Sequence, residues 1–107
     1  MDIFESKKSG WLILELKGRM DALTSPQVRE KIITAIDQGE QKLLLDCTGL
    51  DYVSSAGIRV LFEAAYKMQD QEGKIGCYGV NDNVRHIFNL SDIASEIAIF
   101  SVQEEAF

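Results

Sequence analysis

The sequence has few residues of the types that break or cross-link a chain. It contains one proline and two cysteines among 107 residues, and it has no low-complexity run. This composition argues against a disordered chain or a linker. Since 46 % of the residues are hydrophobic, there is enough apolar material for a core, and we expect one domain over residues 1–107.

The single histidine, His86, excludes most catalytic patterns. A hydrolase with a histidine base would need His86 to reach a nucleophile, and the serine pair at 54–55 lacks the preceding glycine that a nucleophile elbow uses. A zinc site would need more ligands than His86 and two separated cysteines, Cys47 and Cys77. We therefore predict no catalytic residue, no metal and no cofactor. We expect His86 on the surface or half-buried, and both cysteines as small buried apolar side chains.

Basic residues are also scarce, which limits the possible partners. Lysine and arginine number 11 against 17 acidic residues, and the net charge is −6. Affinity for nucleic acid and for anionic membranes comes mostly from clustered basic residues, so we predict neither partner. The first residues lack a signal-peptide pattern, and no window holds the ~20 apolar residues of a membrane span. We therefore expect a cytoplasmic protein.

Glycine-rich phosphate loops are missing as well. There is no Walker A pattern, and Gly73, Gly76 and Gly79 lie around a predicted strand, not in a turn that enters a helix. A weak nucleotide-binding or hydrolysing domain is therefore the least favoured of the hypotheses.

The sequence does contain an alternation of strand and helix patterns. Apolar runs predict strands covered on both faces, and apolar stripes at a spacing of three and four residues predict amphipathic helices. The predicted strands are 2–7, 11–17, 41–46, 74–80 and 96–100; the predicted helices run from about Thr24 to Gln38, between Ser55 and Gly73, after Asn81, and in a terminal turn over 101–107. The order β-β-α-β-α-β-α-β-α predicts an α/β fold, with helices packed on a mostly parallel mixed sheet of four to five strands.

Capping and pairing signals add detail to the helices. Thr24, followed closely by the proline, predicts a hydroxyl cap on the first helix, and residues 18–23 before it are predicted to form a loop. Glu63 and Lys67 have the i, i+4 spacing that favours an ion pair on the second helix. Asn81 predicts the cap of the third helix.

Two loops that follow predicted strands carry the polar residues suited to a functional edge. They are GRMDALTS, residues 18–25, and YVSSAG, residues 52–57. In an open α/β sheet, loops at the carboxyl ends of parallel strands meet on one edge. From the residues alone, Ser54 and Ser55 are more often a helix cap than a modification site, and Asp21 is more often a turn residue.

The same loops carry a family resemblance that covers nearly the whole chain. The segment LKGRMDALTS, residues 16–25, resembles the first signature of the STAS domain family. The segment LLLDCTGLDYVSSAGIRVLFEAAYKM, residues 43–68, resembles the second and more specific signature. Their order and spacing, in a chain of this size, resemble the stand-alone bacterial anti-sigma factor antagonists. The resemblance implies that residues 1–107 form one STAS domain.

The resemblance implies a partner switch and not an enzyme. In this family the unphosphorylated protein binds an anti-sigma factor that is also a serine kinase of the GHKL type, which frees a sigma factor. The kinase phosphorylates a serine at the start of the second helix, the complex dissociates, and a PP2C-like phosphatase resets the switch. The family's phosphorylated serine matches Ser55, with Ser54 as the alternative acceptor, and its loop aspartate matches Asp21.

Two positions depart from the family pattern, in which an aspartate often stands in place of Ser54 and a hydroxyl residue in place of Ala56. We predict that Ser55 both caps the second helix and accepts the phosphate. The predicted docking face comprises Asp21, Thr24, Ser54, Ser55, Gly57, Ile58 and Arg59. Gly57 would allow close approach of a partner's backbone.

A non-switching role within the same family is the alternative hypothesis. Some STAS proteins serve as subunits of lipid-transport complexes or of sensor assemblies. The two roles differ in what a phosphate would do. At a helix N-terminus a phosphate meets free N–H groups, so the fold should tolerate it, whereas its charge should disrupt a buried interface.

Overall fold

The computed structural model describes all residues from Met1 to Phe107 and contains six strands and three α-helices. The strands are β1 (Asp2–Lys8), β2 (Trp11–Met20), β3 (Lys42–Asp46), β4 (Leu50–Val53), β5 (Lys74–Tyr78) and β6 (Ala98–Phe100). The helices are α1 (Ser25–Asp37), α2 (Ser55–Asp70) and α3 (Asp82–Ser91), and short 3₁₀ turns cover Ile93–Ser95 and Gln103–Ala106. The predicted α/β class and the terminal turn are confirmed.

The six strands form one mixed sheet in the order β1-β2-β3-β5-β6, with β4 paired to β2. β1 and β2 are antiparallel, and every other pair in the sheet is parallel. The prediction of a mostly parallel mixed sheet is confirmed, although the sheet has six strands and not four or five. None of the helices combines the length and the apolar character that crossing a membrane requires.

The apolar core is divided between the two faces of the sheet. All three helices pack on one face, where they share a large cluster with the strands that includes Leu14, Val28, Leu45, Leu61 and Phe88. On the other face a smaller cluster is formed by Trp11, Ile13, Leu44 and Tyr78, with Phe100 and Ala106 packed against it. The central strands are therefore apolar on both faces, as the runs WLIL and LLL predict.

The predicted loop over residues 18–23 is wrong, because β2 continues to Met20. The sequence pattern also does not reveal β4, which runs parallel to this last part of β2. Between β3 and β4 the chain passes so close to β2 that a Cβ on Gly49 would lie 2.9 Å from Lys17 Cγ. A strand of four residues has too little alternation to be recognised by itself, and its pairing with β2 defines it.

The single-residue predictions on α3 and in the core are confirmed. The side-chain oxygen of Asn81 accepts a hydrogen bond from the backbone N–H of Val84 at 2.8 Å, so Asn81 caps α3. Cys47 and Cys77 are both free thiols in the buried core, and His86 is exposed on α3.

The predicted ion pair between Glu63 and Lys67 is wrong, because both residues pair with α1. Glu63 accepts two hydrogen bonds from Arg29, Nε to Oε1 at 2.8 Å and Nη2 to Oε2 at 2.6 Å. Lys67 Nζ lies 3.1 Å from Asp37 Oδ1. The two-pronged contact with an arginine on a neighbouring helix prevails over the spacing within α2 because it makes two charge-assisted hydrogen bonds at once.

A double-mutant cycle on urea unfolding checks this pairing. The Arg29 and Glu63 side chains are 50 % and 37 % exposed, so their coupling energy should be modest, about 0.3–1 kcal/mol. The combination of Arg29→Gln with Glu63→Gln should show this coupling, and Glu63→Gln with Lys67→Gln should show almost none. A stronger coupling between Glu63 and Lys67 would contradict the cross-helix pair.

Candidate functional site

The two loops singled out in the sequence leave the sheet at adjacent points. Met20, the last residue of β2, is paired with Val53, the last residue of β4. The backbone N–H of Ser54 donates to the Met20 carbonyl at 2.8 Å, so the pairing extends one residue beyond the strands. Asp21 and Ser54 therefore begin their loops side by side, at the carboxyl ends of two parallel strands.

Ser54, and not Ser55, caps α2. Ser54 has an extended backbone, its hydroxyl oxygen accepts from the Gly57 N–H at 3.4 Å, and its carbonyl accepts the first helical bond, from Ile58. Ser55 is the first residue of the helix, is exposed, and its hydroxyl makes no hydrogen bond. The prediction that one serine does both jobs is wrong, because the capping geometry belongs to the residue before the helix.

Gly57 and Ile58 face the interior and not a partner. A Cβ on Gly57 would lie 2.8 Å from Val53 Cγ1 and 3.1 Å from the Met20 carbonyl oxygen. The absence of a side chain thus lets the first turn of α2 approach the ends of β2 and β4. Ile58 belongs to the core and is only 9 % exposed. Neither residue is available to a docking surface, which corrects the sequence-based role of Gly57.

Asp21 holds a closed turn between β2 and α1. Its Oδ1 accepts from the backbone N–H groups of Leu23 at 3.0 Å and Thr24 at 3.1 Å. The Thr24 hydroxyl donates to the Arg19 carbonyl at 2.6 Å and accepts from the Asp21 N–H at 2.9 Å. Thr24 therefore fastens the turn and does not cap α1 with its side chain, contrary to the prediction. The other carboxylate oxygen of Asp21, Oδ2, is left free.

These hydrogen bonds also set the charge state of Asp21. The bond from the Thr24 N–H is the main cause that lowers the pKa of the Asp21 carboxyl below its ordinary value, and the Leu23 N–H and the Arg19 guanidinium act in the same direction. Desolvation acts in the opposite direction and is second in size to the Thr24 bond, so the pKa is lowered overall. Asp21 therefore carries a negative charge at neutral pH beside the start of α2.

Three residues at this edge carry features that the sequence analysis did not use. Leu23 is 89 % exposed at the tip of the turn. The Arg19 guanidinium lies over the ring of Tyr52, 4.6 Å from its centroid, across the paired strands β2 and β4. A large apolar residue within the polar segment MDALTS was the signal for Leu23. No sequence signal pairs Arg19 with Tyr52, because β4 was not predicted.

A concavity of about 430 Å³ lies between β1 and α1, away from the two loops. Its lining includes three carboxylates, Glu5, Glu30 and Glu40, and one cation, Lys31. The excess of negative charge disfavours phosphate groups, so this concavity does not support nucleotide binding.

A family model for the STAS domain matches residues 5–106. The chain belongs to the STAS domain family. BtrV of Bordetella bronchiseptica, named as a proposed anti-sigma factor antagonist, is 29 % identical over 99 % of this STAS chain and 91 % of BtrV. An anti-sigma factor antagonist from Mycobacterium paratuberculosis has a similar structure, with a TM-score of 0.89, 16 % identity, and coverage of 98 % and 89 % of the two chains.

The STAS chain is also similar to a structure determined in a phosphorylated form. This is the Bacillus cell fate determinant SpoIIAA, with a TM-score of 0.75, 20 % identity, and coverage of 98 % of this chain and 96 % of SpoIIAA. At these identities the two solved structures establish the shared fold.

Separate alanine substitutions distinguish the two serines of the STAS domain. Ser54→Ala removes the cap of α2 and should lower the free energy of unfolding by about 0.5–1 kcal/mol, at the low end for a cap because the bond is long. Ser55→Ala removes an exposed hydroxyl without partners and should change it by less than about 0.5 kcal/mol. Urea unfolding measures both free energies. A larger loss of stability in Ser55→Ala than in Ser54→Ala would mean that Ser55 is the cap.

The charge of Asp21 predicts a pH-dependent contribution to stability. Because its pKa is lower in the folded protein than in the unfolded chain, the contribution is complete above the ordinary aspartate pKa. It is lost as the pH falls through the lowered value. Asp21→Asn keeps an oxygen for the turn but removes the titration, so the two proteins should differ in melting temperature at neutral pH and converge in acid. A constant difference would contradict this assignment.

Proposed function

We propose that this STAS protein is an anti-sigma factor antagonist that works by partner switching. In the unphosphorylated form it binds an anti-sigma factor that is also a GHKL-type serine kinase, and this binding releases a sigma factor. The kinase phosphorylates Ser55, which ends the complex, and a PP2C-like phosphatase restores the binding form. The observation that carries the proposal is the exposed, unbonded hydroxyl of Ser55 beside the Asp21 turn.

The names of relatives support the role. BtrV is named for the same function and matches the chain over nearly its whole length. The anti-sigma-B factor antagonist of Listeria monocytogenes is 26 % identical over 82 % of this chain. SpoIIAA, which shares the fold, has been determined in both unphosphorylated and phosphorylated forms. Phosphorylation is therefore compatible with this architecture.

The geometry of the two serines favours Ser55 as the acceptor. A kinase needs a hydroxyl that can enter its active site, and the Ser55 side chain is exposed and free of internal bonds. Ser54 is half-buried and its oxygen accepts from Gly57, so a phosphate there would remove the cap of α2. At Ser55 the phosphate would meet the positive end of the helix dipole, which stabilises it.

We define the docking edge as Asp21, Leu23, Ser55 and Arg59. Leu23 supplies the apolar anchor, because a side chain that is 89 % exposed has most of its area left to bury against a partner. Asp21 is held in place by its turn and presents Oδ2, so it binds without losing much freedom. A phosphate on Ser55 adds a charge of about −1.5 to −2 beside Asp21 and repels a surface that accepted the neutral serine.

The experiment that tests the proposal is a kinase assay with the anti-sigma factor recovered from the native host. With Mg-ATP the kinase should add one phosphate, and peptide mapping should place it on Ser55. Ser55→Ala should abolish labelling, whereas Ser54→Ala should keep it despite its lower stability. Labelling that persists in Ser55→Ala would refute the assignment.

Calorimetry with the same partner tests the switch itself. Ser55→Asp should weaken binding by about 2–5 kcal/mol, or roughly 30-fold to several thousand-fold, because a charge is forced into the interface. Ser55→Asn matches its size without the charge and should bind much more tightly. Glu104→Gln changes a charge on the exposed terminal turn and should have little effect. Equal binding by the Asp and Asn variants would favour the non-switching alternative.

A further inference from the structure

Arg59 is a cation at the docking edge with no partner inside the protein. Arg29, on the neighbouring helix, makes two hydrogen bonds to Glu63, and Arg19 lies over the ring of Tyr52. Arg59 is exposed on α2 and makes no hydrogen bond, ion pair or aromatic contact. Its guanidinium therefore offers five free donors at the docking edge.

Arg59 lies close enough to Ser55 to contact a group attached to that residue. The two residues are four positions apart in α2, so they are neighbours on one face of the helix. Side chains of a helix lean towards its N-terminus, and a long side chain covers the turn that precedes its own Cα. An extended Arg59 side chain can therefore reach over Ser55. An acidic group placed N-terminal to a basic one at this spacing is also the more favourable orientation.

We propose that the phosphate on Ser55 is bound within the same molecule by Arg59. The guanidinium can donate two parallel hydrogen bonds to two phosphate oxygens, a geometry that lysine does not offer. Since Ser55 starts the helix, the remaining phosphate oxygen lies near the free N–H groups of the first turn. The inference concerns the regulation of the proposed switch and rests on the modification of Ser55.

This contact gives phosphorylation a second effect on the docking edge. In the unphosphorylated protein Arg59 is free to bind a carboxylate of the partner. In the phosphorylated protein the phosphate occupies Arg59, so the partner meets a new anion and also loses a cation. Part of the loss of affinity then comes from the withdrawal of Arg59 and part from repulsion by the phosphate.

Other charged residues lie near the first turn of α2, and their effects on the phosphate must be distinguished from that of Arg59. The end of β2 contributes Arg19 and Asp21, and β4 contributes Asp51. Arg19 is the competing cation. Arg19 directly precedes Met20 in β2, and the Met20 side chain packs against Gly57. Because successive side chains of a strand point to opposite faces of the sheet, Arg19 points away from α2.

Phosphorus NMR on the protein carrying phosphoserine at residue 55 tests the contact without any partner or kinase. Phosphoserine can be introduced by genetic encoding. The second pKa of the phosphate, about 6 when free, should be lowered by Arg59, and Arg59→Gln should raise it by about 0.2–0.4 unit. Arg59→Lys should give an intermediate value, because lysine keeps the charge and loses the paired hydrogen bonds.

Two control variants make the result specific. Arg19→Gln removes the competing cation, and Lys74→Gln removes a cation at the amino end of β5, the opposite end of the sheet. Each of these substitutions should change the phosphate pKa by less than about 0.1 unit relative to the wild type, because distant or screened charges have weak effects. An unchanged pKa in Arg59→Gln, or a larger shift in Arg19→Gln, overturns the proposal.

The functional consequence is measured as a ratio of affinities for the anti-sigma factor. The dissociation constant of the phosphoserine protein divided by that of the unphosphorylated protein should be smaller in Arg59→Gln than in the wild type. The variant has already lost the cation that the phosphate would withdraw. A larger ratio would mean that Arg59 only screens the phosphate. A kinase that ignores Ser55 would refute the proposed function while the NMR result still decides the contact.

Discussion

The pairing of Met20 with Val53 is the constraint on which the candidate site depends. It brings the ends of β2 and β4 together, and the hydrogen bond from the Ser54 N–H to the Met20 carbonyl carries the pairing into the first loop residue. Gly57 then packs against the same two residues, which fixes the start of α2 above them. Strand pairing, a backbone hydrogen bond and the packing of Gly57 on Met20 and Val53 thus set the Asp21 turn and the α2 N-terminus against each other.

The residues that stabilise this part of the fold are different from the residue that we propose is modified. Ser54 caps the helix and Asp21 holds its turn, whereas the side chains of Ser55 and Leu23 are exposed and the Ser55 hydroxyl makes no internal hydrogen bond. The surface can then change its charge without unfolding, because a modification at Ser55 leaves the bond between the Ser54 hydroxyl and the Gly57 N–H in place. The close neighbour Ser54 therefore makes the proposed chemistry at Ser55 tolerable to the fold.

The sequence was sufficient for the elements with strong periodicity. The α2 stripe and the apolar runs of β2 and β3 predicted the core, because burial on one or both faces imposes those patterns directly. It was insufficient where a contact between distant residues decides the outcome. β4 exists through its pairing with β2, Glu63 takes its partner from α1, and Gly57 is required in part by the side chain and backbone of Met20 in β2. The side-by-side position of the two loops followed from topology, while the exchange of roles between Ser54 and Ser55 needed backbone angles that the sequence does not specify.

The charges of the docking edge differ from those of the chain as a whole. The chain carries −6, whereas this edge balances the cation of Arg59 against the carboxylate of Asp21. A partner with acidic groups would be attracted to Arg59 and repelled by the net negative charge of the chain, which orients the encounter. A phosphate on Ser55 adds a charge of about −1.5 to −2 to this balanced edge, so the edge becomes negative and loses that orientation. If Arg59 also binds the phosphate, the cation that attracts an acidic partner is no longer available to that partner.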